Sequence, residues 1–274
     1  MKIALIITTP DYAGLNIKDK LLKVYNFKKT GEEFEGVPVL KAGIHTNELF
    51  IYTTNTRCVD CEDYDKRVEA DLFVFPTTHR ARSGINSLSV HVQGNWGKAE
   101  LGGRDRKLVP APASIMKVAY QELYKLGKDT DYDIVNEVTH HGPYIEKPCF
   151  FIEIGSSEKQ WKDPLAGEII AKTLINTFSK DTPYFRVAIG LGGLHTCPSF
   201  NRIILETDVA LGQICPKYNL HNFDEEMLKQ AVEKTVEKVD FALLDWKGLG
   251  AEKERILKLL NNNKIKYYKT KQIK

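Results

Sequence analysis

Apolar positions along the chain fall into short continuous runs separated by stretches with helical spacing. Met1-Lys-Ile-Ala-Leu-Ile-Ile, Asp71-Leu-Phe-Val-Phe and Cys149-Phe-Phe-Ile-Glu-Ile are runs typical of strands buried on both faces. The pattern predicts strands at 2–8, 48–54, 71–75, 87–93, 132–139, 148–154, 184–190, 200–205 and 239–244. Helices are expected at 15–25, 112–126, 163–178, 224–238 and 250–262. Asp163 followed by Pro164 is an N-cap with proline at the first helical position. Asp224, Glu225 and Glu226 place negative charge where the next helix dipole favours it. Alternating strands and helices imply a three-layer α/β architecture with a mixed, mainly parallel central sheet. With no repeat or linker, the whole of 1–274 reads as a single domain. Ligands of such sheets gather outside the carboxyl ends of strands.

The formal charge of +3 is too small to imply nucleic-acid binding by itself. Local clusters say more: Arg80 and Arg82, Arg104 with Arg106 and Lys107, and the tail from Lys264 to Lys274. Each is either a solvated surface or a phosphate-facing one. No apolar stretch approaches the ~20 residues that span a bilayer, and the N-terminus reads as a buried strand rather than a signal peptide. Five cysteines form no disulfide framework, so a cytoplasmic protein without a membrane partner is expected.

Candidate chemistry concentrates behind the strands. His140-His141-Gly142-Pro143 puts two imidazoles on a rigid turn, and Gly190-Leu-Gly-Gly-Leu-His195 with Pro198 has the same placement later. Neighbouring strand residues point to opposite faces. Both His140 and His141 can therefore share one site only if Gly142-Pro143 bends the chain, and the expectation is that one points straight in. In Ser87-Leu-Ser-Val-His-Val-Gln93, alternation sets Ser89, His91 and Gln93 on one polar face. His79 precedes Arg80 and Arg82, which can hold phosphates as bidentate donors. Glu153 interrupts an otherwise buried strand, and an ionised carboxylate there needs a cation, a metal or several donors. Gly155-Ser156-Ser157 offers backbone N–H groups to an anion, although Ser157 and Gln160 also match a capping box. A dinucleotide fingerprint at 190–195 is unlike this chain, because a glycine is needed where His195 stands and Pro198 opposes a helix starting there. Cys58-Val-Asp-Cys61 is a lone C-x-x-C, read as two ordinary cysteines. No G-x-S-x-G elbow is present.

In order and spacing these pieces resemble the archaeal and plant type of D-aminoacyl-tRNA deacylase. The resemblance rests on His79-Arg-Ala-Arg-Ser-Gly, Ser89-Val-His-Val-Gln-Gly-Asn95-Trp-Gly, Ala111-Pro-Ala-Ser-Ile-Met-Lys117, Thr139-His-His-Gly-Pro143, Phe151-Ile-Glu-Ile-Gly-Ser-Ser157 with Trp161, and Gly190-Leu-Gly-Gly-Leu-His195. It extends to Lys217-Tyr218 and beyond. One segment departs: the family pattern Gly-Gly-Gly-His-Tyr-Ala-Pro here reads Gly192-Gly193-Leu194-His195-Thr196-Cys197-Pro198.

The resemblance implies a fold similar to peptidyl-tRNA hydrolase and phosphorylase-like proteins. It implies hydrolysis of the ester joining a D-amino acid to the 3′-terminal ribose of tRNA, and zinc dependence. His91, His140, His141, Glu153 and His195 are the candidate zinc ligands, enough for a site that keeps one position open. Within that reading His140, His141, His195 and Glu153 are catalytic. His79, Arg80, Arg82, Arg104 and Lys107 hold substrate, with Gly155, Ser156, Gly192 and Gly193 as backbone donors to the oxyanion. A monomer acting on the acceptor end of D-aminoacyl-tRNA is expected. The rival readings are a peptidyl-tRNA or small-ester hydrolase on the same fold, and a tRNA-binding module without chemistry.

Overall fold

A computed structural model describes residues 1–81 and 84–273, so Arg82 lies outside the described residues. The elements in chain order are β1 (Lys2–Thr8), α1 (Tyr12–Val24), β2 (Lys28–Phe34), β3 (Val37–Ile44), β4 (Asn47–Thr54), β5 (Leu72–Arg80), β6 (Ser87–His91) and α2 (Ala113–Gly127). Then follow β7 (Asp133–Asn136), β8 (Cys149–Ser156), α3 (Glu158–Trp161), α4 (Pro164–Phe178), β9 (Arg186–Leu191), α5 (Pro198–Glu206), β10 (Val209–Cys215), α6 (Glu225–Glu233), β11 (Phe241–Leu244), α7 (Lys253–Asn262) and β12 (Tyr267–Lys269).

The expected mixed, mainly parallel sheet is eight-stranded, in the order β2-β3-β4-β1-β5-β8-β6-β7. Its antiparallel pairings are β2 with β3, β3 with β4, and β6 with β8. One face carries Ile3, Leu5, Val74 and Ile152 into a core with Ile17, Tyr120 and Ile170 of α1, α2 and α4. The opposite face, with Ile6, Phe73, Phe75 and Phe151, is covered by Tyr64, Ile145 and their loops. Gly14 lets α1 approach β5 closely, since a Cβ there would lie 2.9 Å from the Pro76 carbonyl oxygen.

The strands expected at 184–190 and 239–244 do not join this sheet. They belong to a second, all-parallel sheet in the order β10-β9-β11-β12. The segment 200–205 is helix, not strand. Phe200, Ile203 and Ile204 recur at helical spacing on its buried face, and Pro198 occupies the first turn, so the proline starts a helix rather than opposing one. The paired strands β2 and β3 were not anticipated, because the exposed, charged Lys28–Phe34 lacks an apolar period.

Residues 137–140 join the two sheets. The amides of Glu137 and His140 donate to Val90 O (2.9 Å) and Val92 O (3.3 Å) beside β6. Those of Val138 and Thr139 donate to His195 O (3.1 Å) and Ile214 O (3.0 Å) of the second sheet and its following turn. The Thr139 hydroxyl also accepts from Ile214 N at 2.9 Å. Among the described residues no helix is long and apolar enough to cross a membrane.

The first βα turn is tied to β5 by one side chain. Asp11 caps α1 through Gly14 N (2.8 Å) and accepts from Thr78 N (2.9 Å), Thr78 Oγ1 (2.6 Å) and Thr77 Oγ1. Losing a cap and several carboxylate hydrogen bonds together is worth about 2–4 kcal/mol. Asp11→Ala is therefore expected to lower the unfolding free energy by that amount in urea titration. A change of only about 0.5 kcal/mol, the size of an ordinary surface substitution, would refute the role of Asp11 as a structural tie.

Candidate active site

Five of the chain's seven histidines converge with two buried carboxylates at the end of the large sheet. The registers explain why. In β8, Glu153 lies between Thr77 of β5 and Ser89 of β6, while His79 stands beside Gly155. Gly155 must be glycine, because a Cβ there would come within 2.9 Å of the His79 ring. His91, fully buried, comes from the antiparallel β6 and places Nε2 3.6 Å from Glu153 Oε2. His79 Nδ1 reaches the same oxygen at 3.3 Å. The polar face of 87–93 is thus a buried face turned to the site.

His140 and His141 both enter, which corrects the expectation that only one would. His141 has φ +43°, so the chain leaves strand alternation there and the two rings sit 4.4 Å apart by centroid. The His140 ring lies 4.1 Å from His91 and 4.5 Å from His195. A cavity of about 260 Å³ opens over the cluster, lined by His79, Arg80, Leu101, His140, His141 and His195 among others. A larger groove of about 720 Å³ over β2–β4 is lined by alternating lysines and glutamates, such as Lys41 and Glu48 paired at 2.5 Å. Its charges compensate one another, and none of the chain's histidines lines it.

Glu137 was missed by the sequence reading. It is buried and faces His195 Nε2 (3.4 Å), His79 Nδ1 (3.6 Å) and His140 Nε2 (3.8 Å). The signal was the one that singled out Glu153: a charged residue in a segment that packs as a strand. Tyr218 was also missed, and its hydroxyl lies 3.1 Å from His195 Nδ1.

The electrostatics divide the imidazoles. Burial lowers His140 well below its ordinary value, with the neighbouring histidines adding to the effect, and brings His141 to about 4. For His79, burial is outweighed by the hydrogen bond to Glu153 and the charges of Glu137 and Glu153, and its value rises to about 9. His91 is likewise raised against burial by Glu153. Glu153 is held far below the carboxylate range, burial being overcome by His91 and His79.

Tautomers follow from partners. His91, His140 and His141 each direct Nδ1 at a main-chain carbonyl: Val92 O at 3.1 Å, Val138 O at 2.9 Å and Gly142 O at 2.6 Å. A carbonyl only accepts, so Nδ1 carries the hydrogen and in the neutral ring Nε2 keeps the lone pair. These three can gather ligand atoms within 4.8 Å of one another, as can Glu137, His140 and His195, and His79, Glu137 and Glu153. Nε2 of His91 and Oε2 of Glu137 are buried without a hydrogen-bond partner.

Other expected site residues are placed differently. Arg80 is at the mouth, its guanidinium 5.1 Å over the Trp161 ring. Arg104 stacks on Tyr144 at 4.4 Å and pairs with Asp63 at 2.8 Å, and Lys107 lies 4.0 Å from Glu226, so neither lines the cavity. Gly192 donates its amide to Cys215 O at 2.9 Å, which removes it as an oxyanion donor, and the Gly193 amide packs against Gly248. Ser156 donates its hydroxyl to Ile85 O at 2.7 Å, inside the fold. Leu194, in place of the family's third glycine, is exposed. Ser157 makes no backbone cap, its hydroxyl meeting the Gln160 side chain instead. Cys58 and Cys61 are free thiols, each pushed up to about 12 chiefly by burial.

A cavity with neutral and charged imidazoles above two buried carboxylates, at the strand ends of an α/β scaffold, is the equipment of a hydrolytic enzyme. Residues 66–268 match the D-aminoacyl-tRNA deacylase family. Proteins named D-aminoacyl-tRNA deacylase from Thermococcus onnurineus and Methanosarcina mazei are 38% and 34% identical to the chain. These alignments cover 95% and 100% of this chain, and 96% and 94% of the relatives. The crystal structure of a conserved protein of unknown function, AF0625, superposes with a TM-score of 0.90 at 28% identity, covering 100% of this chain and 96% of that one. The chain belongs to the D-aminoacyl-tRNA deacylase family.

The raised His79 gives a test in metal-free protein. Its imidazole is expected to titrate at about 9 by NMR, and Glu153→Gln should move the midpoint down towards 6.5. The sign is fixed by linkage: the pairing stabilises the fold fully below pH 6.5 and the gain is lost as pH rises through about 9. An unmoved midpoint in Glu153→Gln would exclude the pair.

Proposed function

We propose that the chain is a D-aminoacyl-tRNA deacylase, hydrolysing the ester between a D-amino acid and the 3′-terminal ribose of tRNA. The observation that carries this reading is the coincidence of the imidazole–carboxylate cavity with segments of a chain that aligns almost end to end with proteins named for that activity. Ester hydrolysis needs an activated water, stabilisation of the oxyanion and a hold on the RNA end. At neutral pH His79 is a cation at the cavity wall, suited to an anionic group of the substrate. Arg80, stiffened by Trp161 at the mouth, is suited to the terminal phosphates. Glu153 stays ionised, so it serves as an acceptor and counter-charge and not as an acid.

We further propose that the centre takes zinc through Nε2 of His91, His140 and His141. The fit is carried by the three carbonyl-bound Nδ1–H groups, by the low values of His140 and His141, and by the orphaned buried Nε2 of His91. When bound, zinc supplies Lewis acidity, which acidifies a water and polarises a carbonyl. Glu153, beside His91, then offsets positive charge. A cytoplasmic monomer is proposed with it, in keeping with the free buried thiols.

The decisive assay pairs D- and L-aminoacyl-tRNA of one amino acid. Hydrolysis of the D form at least about 10²-fold faster is expected; equal or absent hydrolysis of both would remove the proposal, and hydrolysis of an N-acyl-aminoacyl-tRNA in their place would favour a peptidyl-tRNA hydrolase. His140→Ala should cost about 10²–10³ in kcat while tRNA affinity persists. Elemental analysis is expected to find zinc in the parent and its loss in His140→Ala. Full activity after chelation to zinc-free protein would reject a catalytic metal.

A further inference from the structure

Lys264 and Lys266, from the basic tail, line a groove that is separate from the cavity. This groove, of about 540 Å³, opens at the amino ends of β9, β11 and β12, with Tyr184, Lys238 and Tyr268 also in its walls. Its charge is uncompensated. Arg186 is neutralised by Asp208 through hydrogen bonds of 2.7 and 2.9 Å, which leaves Lys238, Lys264 and Lys266 facing the single carboxylate of Asp240. Among the described residues, none of these three ammonium groups has an ion-pair or hydrogen-bond partner. Asp240 is itself engaged by Val187 N at 3.0 Å. The groove over β2–β4 is the contrast, since lysines and glutamates pair there. Beside the lysines, Tyr184 is 87% exposed and Tyr268 39%.

We propose that this groove docks the phosphate backbone of the substrate's helical stem, with Lys238, Lys264 and Lys266 on phosphates and the Tyr184 and Tyr268 hydroxyls as further donors. The proposal rests on the deacylase reading, which supplies the RNA. Lysine and tyrosine are among the donors that position a duplex without reading its sequence, and an RNA helix is held chiefly through its phosphates and 2′-hydroxyls. The placement fits such a stem. Arg186, at the start of β9, lines the groove, and the chain beyond Leu191, at its end, reaches His195 of the cavity wall. Six residues at ~3.3 Å each separate the two by roughly 20 Å, less than the ~34 Å of one duplex turn. β12 is the outermost strand, and its edge continues the positive charge towards the carboxyl ends. There Lys269 Nζ lies 4.0 Å from the centre of the Trp246 ring. Lysines also guard a free sheet edge against pairing with another chain. That purpose does not account for Tyr184 and Lys238, which come from the segments before β9 and β11 and converge on the same groove.

Binding of uncharged tRNA, read by fluorescence anisotropy over a salt series, tests the groove without any chemistry. The double variant Lys238→Gln/Lys266→Gln is expected to weaken binding about 10–30-fold near 0.15 M salt and to flatten the slope of log K against log salt by about 2. Tyr184→Ala should weaken it about fivefold, the effect of one hydrogen bond. Lys28→Gln/Lys29→Gln removes the same charge from the groove over β2–β4 and should keep the parent's affinity and slope. In turnover, the preference for D-aminoacyl-tRNA over a 3′-D-aminoacyl-adenosine, which has no stem, should fall in Lys238→Gln/Lys266→Gln by the same factor as binding. Parent-like affinity and slope in that variant would overturn the proposal. So would an equal loss in Lys28→Gln/Lys29→Gln, which would make the effect one of net charge alone, or an unchanged preference between the two substrates. A chain that binds tRNA through the groove but hydrolyses neither substrate would sink the deacylase reading and leave the groove assigned.

Discussion

The segment 137–140 is the constraint on which the site depends. Its amides divide in allegiance, the outer two to Val90 and Val92 in and just beyond the strand that ends in His91, the inner two to the second sheet and its turn. An extended segment normally pairs, through one edge or both, with neighbours of a single sheet. Here the pairing is split, so any displacement of one sheet against the other would break main-chain hydrogen bonds buried in the joint. Trp96 reinforces it by donating Nε1–H to Thr139 O at 3.1 Å. Glu137 and His140 are carried on that joint, and His195 is fixed to it through its own carbonyl. The relative position of groups drawn from two sheets is therefore set by backbone, which is stiffer than any arrangement of side chains.

Two carboxylates buried on this framework oblige the histidines to gather. Glu137 and Glu153 are 2% exposed each, and an isolated ionised carboxylate at such depth is prohibitively costly. His79 and His91 supply compensation for Glu153, and the cost of their own burial is outweighed by it. His140 and His141 receive less of that compensation and are forced neutral. The raised rings, His79 and His91, are those for which Glu153 outweighs burial, and the lowered ones, His140 and His141, follow burial and then their histidine neighbours.

Much of this was legible in the sequence because it follows from local rules. Continuous apolar runs located β1, β5 and β8, and the Asp163-Pro164 signal located the start of α4. Strand alternation put His91 on the right face, and Glu153 betrayed itself as a charge in a buried strand. What was not legible is what arises between elements. The split of strands between two sheets depends on packing around α2, which contacts both β6 and β10. The entry of both His140 and His141 depends on one left-handed residue. The engagement of Gly192, Ser156 and Arg104 depends on partners remote in the chain, Cys215, Ile85 and Asp63. The strand misassigned at 200–205 is different: its i, i+3, i+4 apolar spacing was visible, and hydrophobic content outweighed periodicity in the reading.

One side-chain type serves several purposes here because the partner of each ring nitrogen differs. A ring whose Nδ1–H is taken by a carbonyl offers a lone pair from Nε2 when neutral, as His140 and His141 are; His91 has the same Nδ1 contact but is raised by Glu153, and all three carbonyls belong to residues next to or near the rings in the chain. Such local contacts form wherever the backbone follows its course and require no matching residue elsewhere. A ring between carboxylates holds a positive charge, as His79 does. His195 stands between a phenol and a carboxylate, those of Tyr218 and Glu137. The contact with Tyr218 requires a side chain twenty-three positions away, so it is the one most readily altered by substitution outside the histidine motifs. The loop after β10, which carries Tyr218, therefore touches a histidine of the cavity wall although it contributes nothing to that wall itself.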